Sequence, residues 1–368
     1  MSLPTLHVSS PDPRLRGQMV GEGARSQVLA SVELYRRLFA RYAELDWDAV
    51  AALGLEFREP IQAYDAEILT EIEGIAEGAG LQLGEVLAIN ARSEILFGLG
   101  DLSLPECTAF YAGPSVTEDK RVLLGQNWDW FSASDSATVI EVDQGPERPA
   151  FVMAPEAGLI GKMGFNEDGI GVTLNALFSD LDRGERDVPV HVILRAILNS
   201  RTIEQALAAI VRARRGSSAN YTIASACGPG LAVEVGPGGV ETVNLVKPVD
   251  GVLGHANHFT EEVEFEDLCA RDYPGSKSRL AMIEALLGAR RGTITADVAK
   301  EVLRNREGAV ECICPLPDET LPELERYSTV LSIVMDLTSR TAEVAAGPPS
   351  EADYVSVVPR FARGDQPS

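Results

Sequence analysis

Cys107 opens a β-prone run, CTAFYA, directly after a loop at residues 102–106, and a thiol there has its own main-chain nitrogen beside its sulfur. If the Glu106–Cys107 bond were cut, one residue would carry both a nucleophile and a proton acceptor. A free α-amine has an ordinary pKa of about 7.7–8.0, so it can take the thiol proton near neutral pH. The plainer reading of one cysteine at a strand start is a buried small hydrophobe or an idle thiol. The run GQNWDWF, residues 125–131, supplies a second group. A polar turn over 113–120 joins the runs 107–112 and 121–126, and antiparallel pairing would return Asp129 to the Cys107 end. Its carboxylate could there hold an ammonium or orient a thiol. Alternatively Trp128, Trp130 and Phe131 are core and Asp129 begins a turn.

Other reactive residue types carry less. Cys312 and Cys314 fall on one side of an extended segment, but a metal wants three or four ligands and no second Cys/His cluster accompanies them. A thiol redox role for this pair would predict reactivity that survives loss of Cys107. His255 and His258 form H-x-x-H without the glutamate of a zinc protease, and neither GxGxxG nor a P-loop occurs, so neither a metal nor another cofactor is expected.

The elements that must position these groups change character at Cys107. Apolar residues Val28, Val32, Tyr35, Phe39 and Tyr42 make one helical stripe over 26–42; a second helix runs from about Ile61 to the glycines Gly78 and Gly80, and a third from Leu83 to Phe97. Residues 1–106 therefore read as mainly helical. From Cys107 onward short β-prone runs arrive close together: CTAFYA, RVLLGQ, TVIEV, AFVMA, LIGKMGF and GIGVTLNAL. Helices are expected again over 191–198 and after Thr202, where Thr202 and Gln205 suit a capping box. Further strands follow (YTIASAC, GLAVEVG, GVETVNLV, GVLGHANHF), then helices over 276–287 and 295–303, then a closing hairpin of TVLSIVMDL with RTAEVAA. Strands and helices in blocks, without strict alternation, argue for α+β layers. The tail from about residue 362 to 368 is expected to fray.

The chain has 368 residues with 45% hydrophobic and 24% charged, and a formal net charge of −23. Such a field repels phosphate backbones and anionic membrane surfaces, so neither nucleic acid nor membrane is an expected partner. The first residues contain no signal-peptide core and no stretch is apolar enough to span a bilayer, which gives a cytoplasmic expectation. Five thinly spread cysteines fit reduced thiols.

Four blocks in order, ECTAFYA, LLGQNWDWF, GLIGKMGFNEDGIGVTLNAL and GHANHF, resemble the acyl-coenzyme A:6-aminopenicillanic-acid acyltransferase family of self-processing N-terminal-nucleophile cysteine hydrolases. More remotely the chain is similar to penicillin V acylase and bile-salt hydrolase. The resemblance implies an αββα sandwich of two antiparallel sheets between helical layers, with residues 1–106 as a helical pro-segment and 107–368 as the catalytic chain. It implies Cys107 as the nucleophile, Asp129 as the acid that steadies its amino group, and Asn257 as the amide donor to an oxyanion. Asn175 matches a second site asparagine and Arg279 a site arginine. By themselves Asn257 reads as a turn residue and Arg279 as an ion-paired helix residue. Glu106 stands where the best-known members have glycine, and Pro315 where many relatives have a basic residue. The implied activity is amide hydrolysis or acyl transfer on a small acyl substrate, amide or acyl-coenzyme-A-like thioester, with the two cleaved chains remaining associated. The rival is an uncut, catalytically idle relative that binds an acyl ligand.

Overall fold

The N-terminal helices form on apolar stripes, and aspartates cap several of them. The computed structural model describes residues 3–98, 107–134, 136–269, 275–308 and 312–363. Asp12 caps α1 (Pro13–Gly23) by accepting from the amides of Arg14 and Leu15. The expected stripe becomes α2 (Arg25–Tyr42), with Val28, Val32, Tyr35 and Phe39 buried. The helix expected from Ile61 is two, α4 (Arg58–Tyr64) and α5 (Ala66–Ala79), because Asp65 is extended and caps α5 through its carboxylate. Gly80 ends α5 in the left-handed region at φ 72°, which favours glycine. The third helix likewise divides at Ala91 into α6 (Leu83–Asn90) and α7 (Arg92–Gly98). α3 (Trp47–Leu55) and the strand β1 (Thr5–Ser9), unforeseen in the sequence as α1 was, complete this half.

The strands form two sheets. The first has eight strands in the order β1-β4-β5-β6-β7-β8-β9-β10, with β4 Val139–Asp143, β5 Phe151–Met153, β6 Gly164–Asn166, β7 Ile170–Ala176, β8 Ala219–Ser225, β9 Gly230–Val235 and β10 Val243–Val246. The second has six in the order β11-β2-β3-β12-β13-β14, with β2 Thr108–Ala112, β3 Leu123–Phe131, β11 Val252–His255, β12 Tyr327–Asp336, β13 Thr341–Ala346 and β14 Val355–Val357. All described pairings within them are antiparallel except β1 with β4, where the N-terminal strand adds to an edge in parallel. β2 and β3 of one sheet face β7 and β8 of the other. α8 (Val190–Leu198) and α9 (Ile203–Val211) cover the first sheet, while α10 (Gly275–Gly288) and α11 (Ala296–Leu303) cover the second, giving an αββα sandwich.

β3 is longer than its sequence expectation and is buried at every position, because one face meets the first sheet and the other meets α11. Gln126 joins the sheets: its side-chain amide donates to and accepts from the Leu174 backbone as an extra strand would. The apolar run LIGKMGF is strand only from Gly164; residues 159–163 cross under α8 as a buried loop. Its polar backbone atoms are satisfied by side chains: Ile160 N–H donates to Asn90 Oδ1 at 2.8 Å and His191 Nδ1 bonds the Gly161 carbonyl at 2.8 Å. At Thr202 only half of the capping box forms, since Gln205 Oε1 accepts from the Arg201 amide instead of that of Thr202.

Candidate active site

Cys107 stands one residue ahead of β2, which pairs β3 on one side and β11 on the other, so the hairpin expected from the turn at 113–120 is present. Four elements then converge on this residue. The Cys107 N–H donates to Asn257 Oδ1 at 2.6 Å, from the loop after β11. The Cys107 carbonyl accepts from Arg279 Nη1 of α10 at 2.7 Å and from Asn175 Nδ2 of β7 at 3.2 Å. Arg279 also binds Thr108 Oγ1 at 2.8 Å and, through Nη2, Asn257 Oδ1 at 3.1 Å. Cys107, Asn175, Asn257 and Arg279 are thus one hydrogen-bonded cluster. Asp129 joins it through its main chain, its carbonyl lying 4.0 Å from Cys107 Sγ, while its carboxylate Oδ1 accepts from the Thr329 hydroxyl at 2.6 Å.

Two orientations differ from the sequence expectation. The nitrogen of Cys107 is held by Asn257, where Asp129 was expected, and Asn257 meets Cys107 with its oxygen, where its NH2 group was expected to aim at substrate. The donors decide this: the Cys107 amide and Arg279 both present hydrogens to Asn257 Oδ1, so Nδ2 turns to the Ala176 carbonyl at 2.8 Å. Glu106, and with it the expected cleavage bond, lies outside the described residues.

Electrostatically the sulfur is quiet in this continuous chain. It is 5% exposed, and burial followed by the nearby Asp129 charge pushes the thiol up to about 11, against the opposing pull of Lys162 and Arg279. The Asn257 loop is anchored from behind. Asn257 N–H donates to Ser276 Oγ at 2.7 Å, and the same hydroxyl reaches His258 Nδ1 at 2.7 Å. Burial and the neighbouring His255 lower His258 to about 4, so its ring is neutral and accepts the serine proton. His255 Nε2 lies 2.9 Å from the buried Glu234 carboxylate, which also takes the Thr260 amide and hydroxyl.

A family model described as acyl-coenzyme A:6-aminopenicillanic acid acyl-transferase matches residues 116–351, a span that contains Asp129, Asn175, Asn257 and Arg279. The chain belongs to this family. The match places this acyl-transferase family member among enzymes, and the class of chemistry that the family's description names is acyl transfer. It is 26% identical over 356 residues to an acyl-coenzyme A:6-aminopenicillanic-acid-acyltransferase 40 kDa form from Emericella nidulans, covering 96% of each chain. Among solved structures, a variant of conjugated bile acid hydrolase from Clostridium perfringens aligns at TM-score 0.48 and 16% identity, covering 68% of this chain and 92% of that one. Penicillin V acylase from Agrobacterium tumefaciens aligns at TM-score 0.41 and 15% identity, covering 65% and 83%.

The candidate site of this acyl-transferase family member also holds residues that sequence reading passed over. Lys162, 3% exposed, lies with Nζ 4.0 Å from the centroid of the Trp128 ring, and burial first and Arg92 second lower it to about 7. Arg92 stacks at 4.6 Å on Trp130 and pairs with the buried Glu156 at 2.8 Å. The available signal was a lone lysine inside the apolar GLIGKMGF. Cys312 and Cys314 are free and buried. Among the described residues no group of three or more His, Cys, Asp or Glu could hold a metal ion, and no helix is long and apolar enough to cross a membrane.

Proposed function

We propose that this chain is an autoproteolytic cysteine amidohydrolase or acyltransferase that works through an acyl-Cys107 intermediate on amide or thioester acyl groups. The observation that carries the reading is the clamp on Cys107, with N–H on Asn257 Oδ1 at 2.6 Å and carbonyl on Arg279 Nη1 at 2.7 Å. These bonds fix the residue's backbone at both ends and leave its side chain to react. In maturation Cys107 attacks the Glu106 carbonyl and separates residues 1–106 from 107–368. The freed amine stays on Asn257 and takes the thiol proton, a local base that the uncut backbone of Cys107 does not offer.

In turnover the thiolate attacks the acyl carbon, and charge develops on the former carbonyl oxygen. Asn257 Nδ2 spends one hydrogen on Ala176, and its second, without an acceptor among the described residues, is a donor for that oxyanion. Arg279 and Asn175 hold the nucleophile's carbonyl so that attack needs no rearrangement. Asp129 supplies negative charge beside the new ammonium. The acyl group then passes to water or to an amine, and an acyl-coenzyme A thioester is a donor in keeping with the family's description.

A second reading has one observation in its favour: a thiol at about 11 suits a relative that binds acyl ligands without turnover. Denaturing mass spectrometry of wild type and Cys107→Ala separates the two. Two fragments from the wild type and an intact 39.5 kDa chain from the variant are expected. A wild type that stays whole and traps no acyl group from thioester or amide probes would sink the enzyme reading.

A further inference from the structure

In the continuous chain Cys107 has no α-amine, so whatever accepts the thiol proton for the first cut must be a different group. The β2–β3 register pairs Thr108 with Asn127, and one residue further Cys107 stands across from Trp128. Cross-strand neighbours lie on the same face with Cβ atoms about 4.5–5.5 Å apart. That face is the one turned to the first sheet, as Gln126 shows by bonding Leu174 of β7. Lys162 lies on the same indole, 4.0 Å from its centroid. The amine therefore lies on the side chain of the residue that the continued register sets opposite Cys107, and the amine and the thiol each feel the other's charge.

The other charged groups here are committed. Facing Cys107 are Asp129, Lys162 and Arg279. Facing Lys162 are Arg92, Glu156, Cys107 and His191. Arg279 donates to the Cys107 carbonyl, Thr108 and Asn257, and its side chain has no acceptor atom. Arg92 and Glu156 pair with each other, and His191 bonds the Gly161 carbonyl. Asp129 is on the alternate face of β3 from Trp128, its carboxylate on Thr329. Lys162 makes no hydrogen bond or ion pair with any described residue, although a buried ammonium is stable only when paired. An amine so placed is kept near its neutral form, and its titration at about 7 agrees.

We propose that Lys162 is the proton acceptor that activates Cys107 for self-cleavage, an assignment that rests on Cys107 being the self-cleaving nucleophile. The thiol proton passes to neutral Nζ, and the thiolate sulfur bonds to the carbonyl carbon of residue 106. The adduct collapses with rupture of the C–N bond, and the departing nitrogen takes the proton back from the Lys162 ammonium. Water then hydrolyses the thioester, giving a carboxylate on residue 106, the regenerated thiol and a free amine on Cys107. From that point the amine serves the sulfur in turnover, so the lysine is a maturation residue.

The test follows conversion of the full-length chain, made by cell-free synthesis and shifted to buffers across neutral pH, by intact-mass measurement. Wild-type conversion should rise with pH through about 7, as Lys162 loses its proton. Lys162→Met, and Lys162→Arg, which keeps charge but cannot accept a proton, should both convert at least about 10²-fold slower. Near-ultraviolet circular dichroism of both variants reports their packing. Wild-type conversion that is flat through neutral pH overturns the proposal whether or not the variants fold. Packed variants that convert at the wild-type rate also overturn it, as does a pH dependence abolished by Asp129→Asn but retained in Lys162→Arg. A wild type that never converts instead removes the self-cleavage reading itself.

Discussion

In the proposed mechanism Asn257 has two tasks at opposite ends of one amide, and substitutions separate them. Asn257→Asp keeps an oxygen for the Cys107 nitrogen but loses the Nδ2 donor. It is expected to lower kcat by about 10²–10³ with a smaller change in KM, since a donor aimed at developing charge acts chiefly in the transition state. A rise in KM with kcat unchanged would instead assign Asn257 to substrate binding. Lys162 and Cys107 also leave opposite marks on stability. Lys162 is lowered to about 7, so between there and the ordinary lysine value the unfolded chain binds a proton that the folded chain lacks, and stability rises with pH in that window. Cys107 is raised to about 11, so above the ordinary thiol value the unfolded chain loses a proton first, and its contribution falls as pH rises. Lys162→Met should therefore gain most over wild type at and below neutral pH and lose that advantage as pH rises. Urea midpoints that differ equally at acid and alkaline pH would contradict this.

The loop after β11 shows how an element holds the site, and the helix pair α1–α5 shows how the N-terminal half packs. His258 accepts the Ser276 proton only while neutral, and Ser276 in turn receives the Asn257 amide. Because His258 is lowered to about 4, the unfolded state binds the extra proton first, and this contribution to stability is lost as pH falls from the ordinary histidine range through about 4. Acid loss of activity across that window should flatten in His258→Gln, whose amide can still bond the serine; an unchanged acid limb would place the sensitive group elsewhere. α1 and α5 meet backbone to backbone: a Cβ at Gly17 would strike the Glu71 carbonyl, and one at Gly74 the Arg14 carbonyl. Gly74→Val is expected to destabilise by about 1–3 kcal/mol or more, as overpacking does, read in denaturant midpoints. A neutral result would mean the helices can separate without loss.

Across the whole molecule the two halves are bound by buried charge as well as by apolar packing. Glu71 receives Arg16 from its own half and Arg195 of α8 from the other, at 2.9 and 2.7 Å, and all three side chains are at most 2% exposed. These pairs hold Glu71 below the usual carboxylate range against the opposing effect of its burial, which is the largest single influence. Tyr35 and Arg92 bind Glu156 across the same boundary, Ser217 binds Glu94, and β1 adds to β4. After a cut at Glu106–Cys107 the fragments should co-elute in native size-exclusion chromatography and part only in denaturant. Glu71→Gln leaves two buried guanidinium groups underpaired and is expected to destabilise by about 3–5 kcal/mol. Fragments that separate spontaneously in native buffer would contradict this view of the boundary.

The sequence by itself determined most helices and strands, because a 3.6-residue stripe is a local fact, as in α2 with Val28, Val32, Tyr35 and Phe39. It also put Cys107 and Asp129 on one hairpin, since a turn between two matched runs fixes register nearby. Ordered motifs brought Asn175, Asn257 and Arg279 onto the same candidate site by resemblance, though neither spacing nor periodicity linked them. Only the tertiary structure decided how these groups face one another. The end of Asn257 that meets Cys107 depends on donors from β2 and α10, residues distant in sequence. Lys162 reads as one charge in an apolar run until the chain crosses under α8 and lays its amine on Trp128. Burial, partner and proton affinity are properties of that surrounding, and no local pattern encodes them.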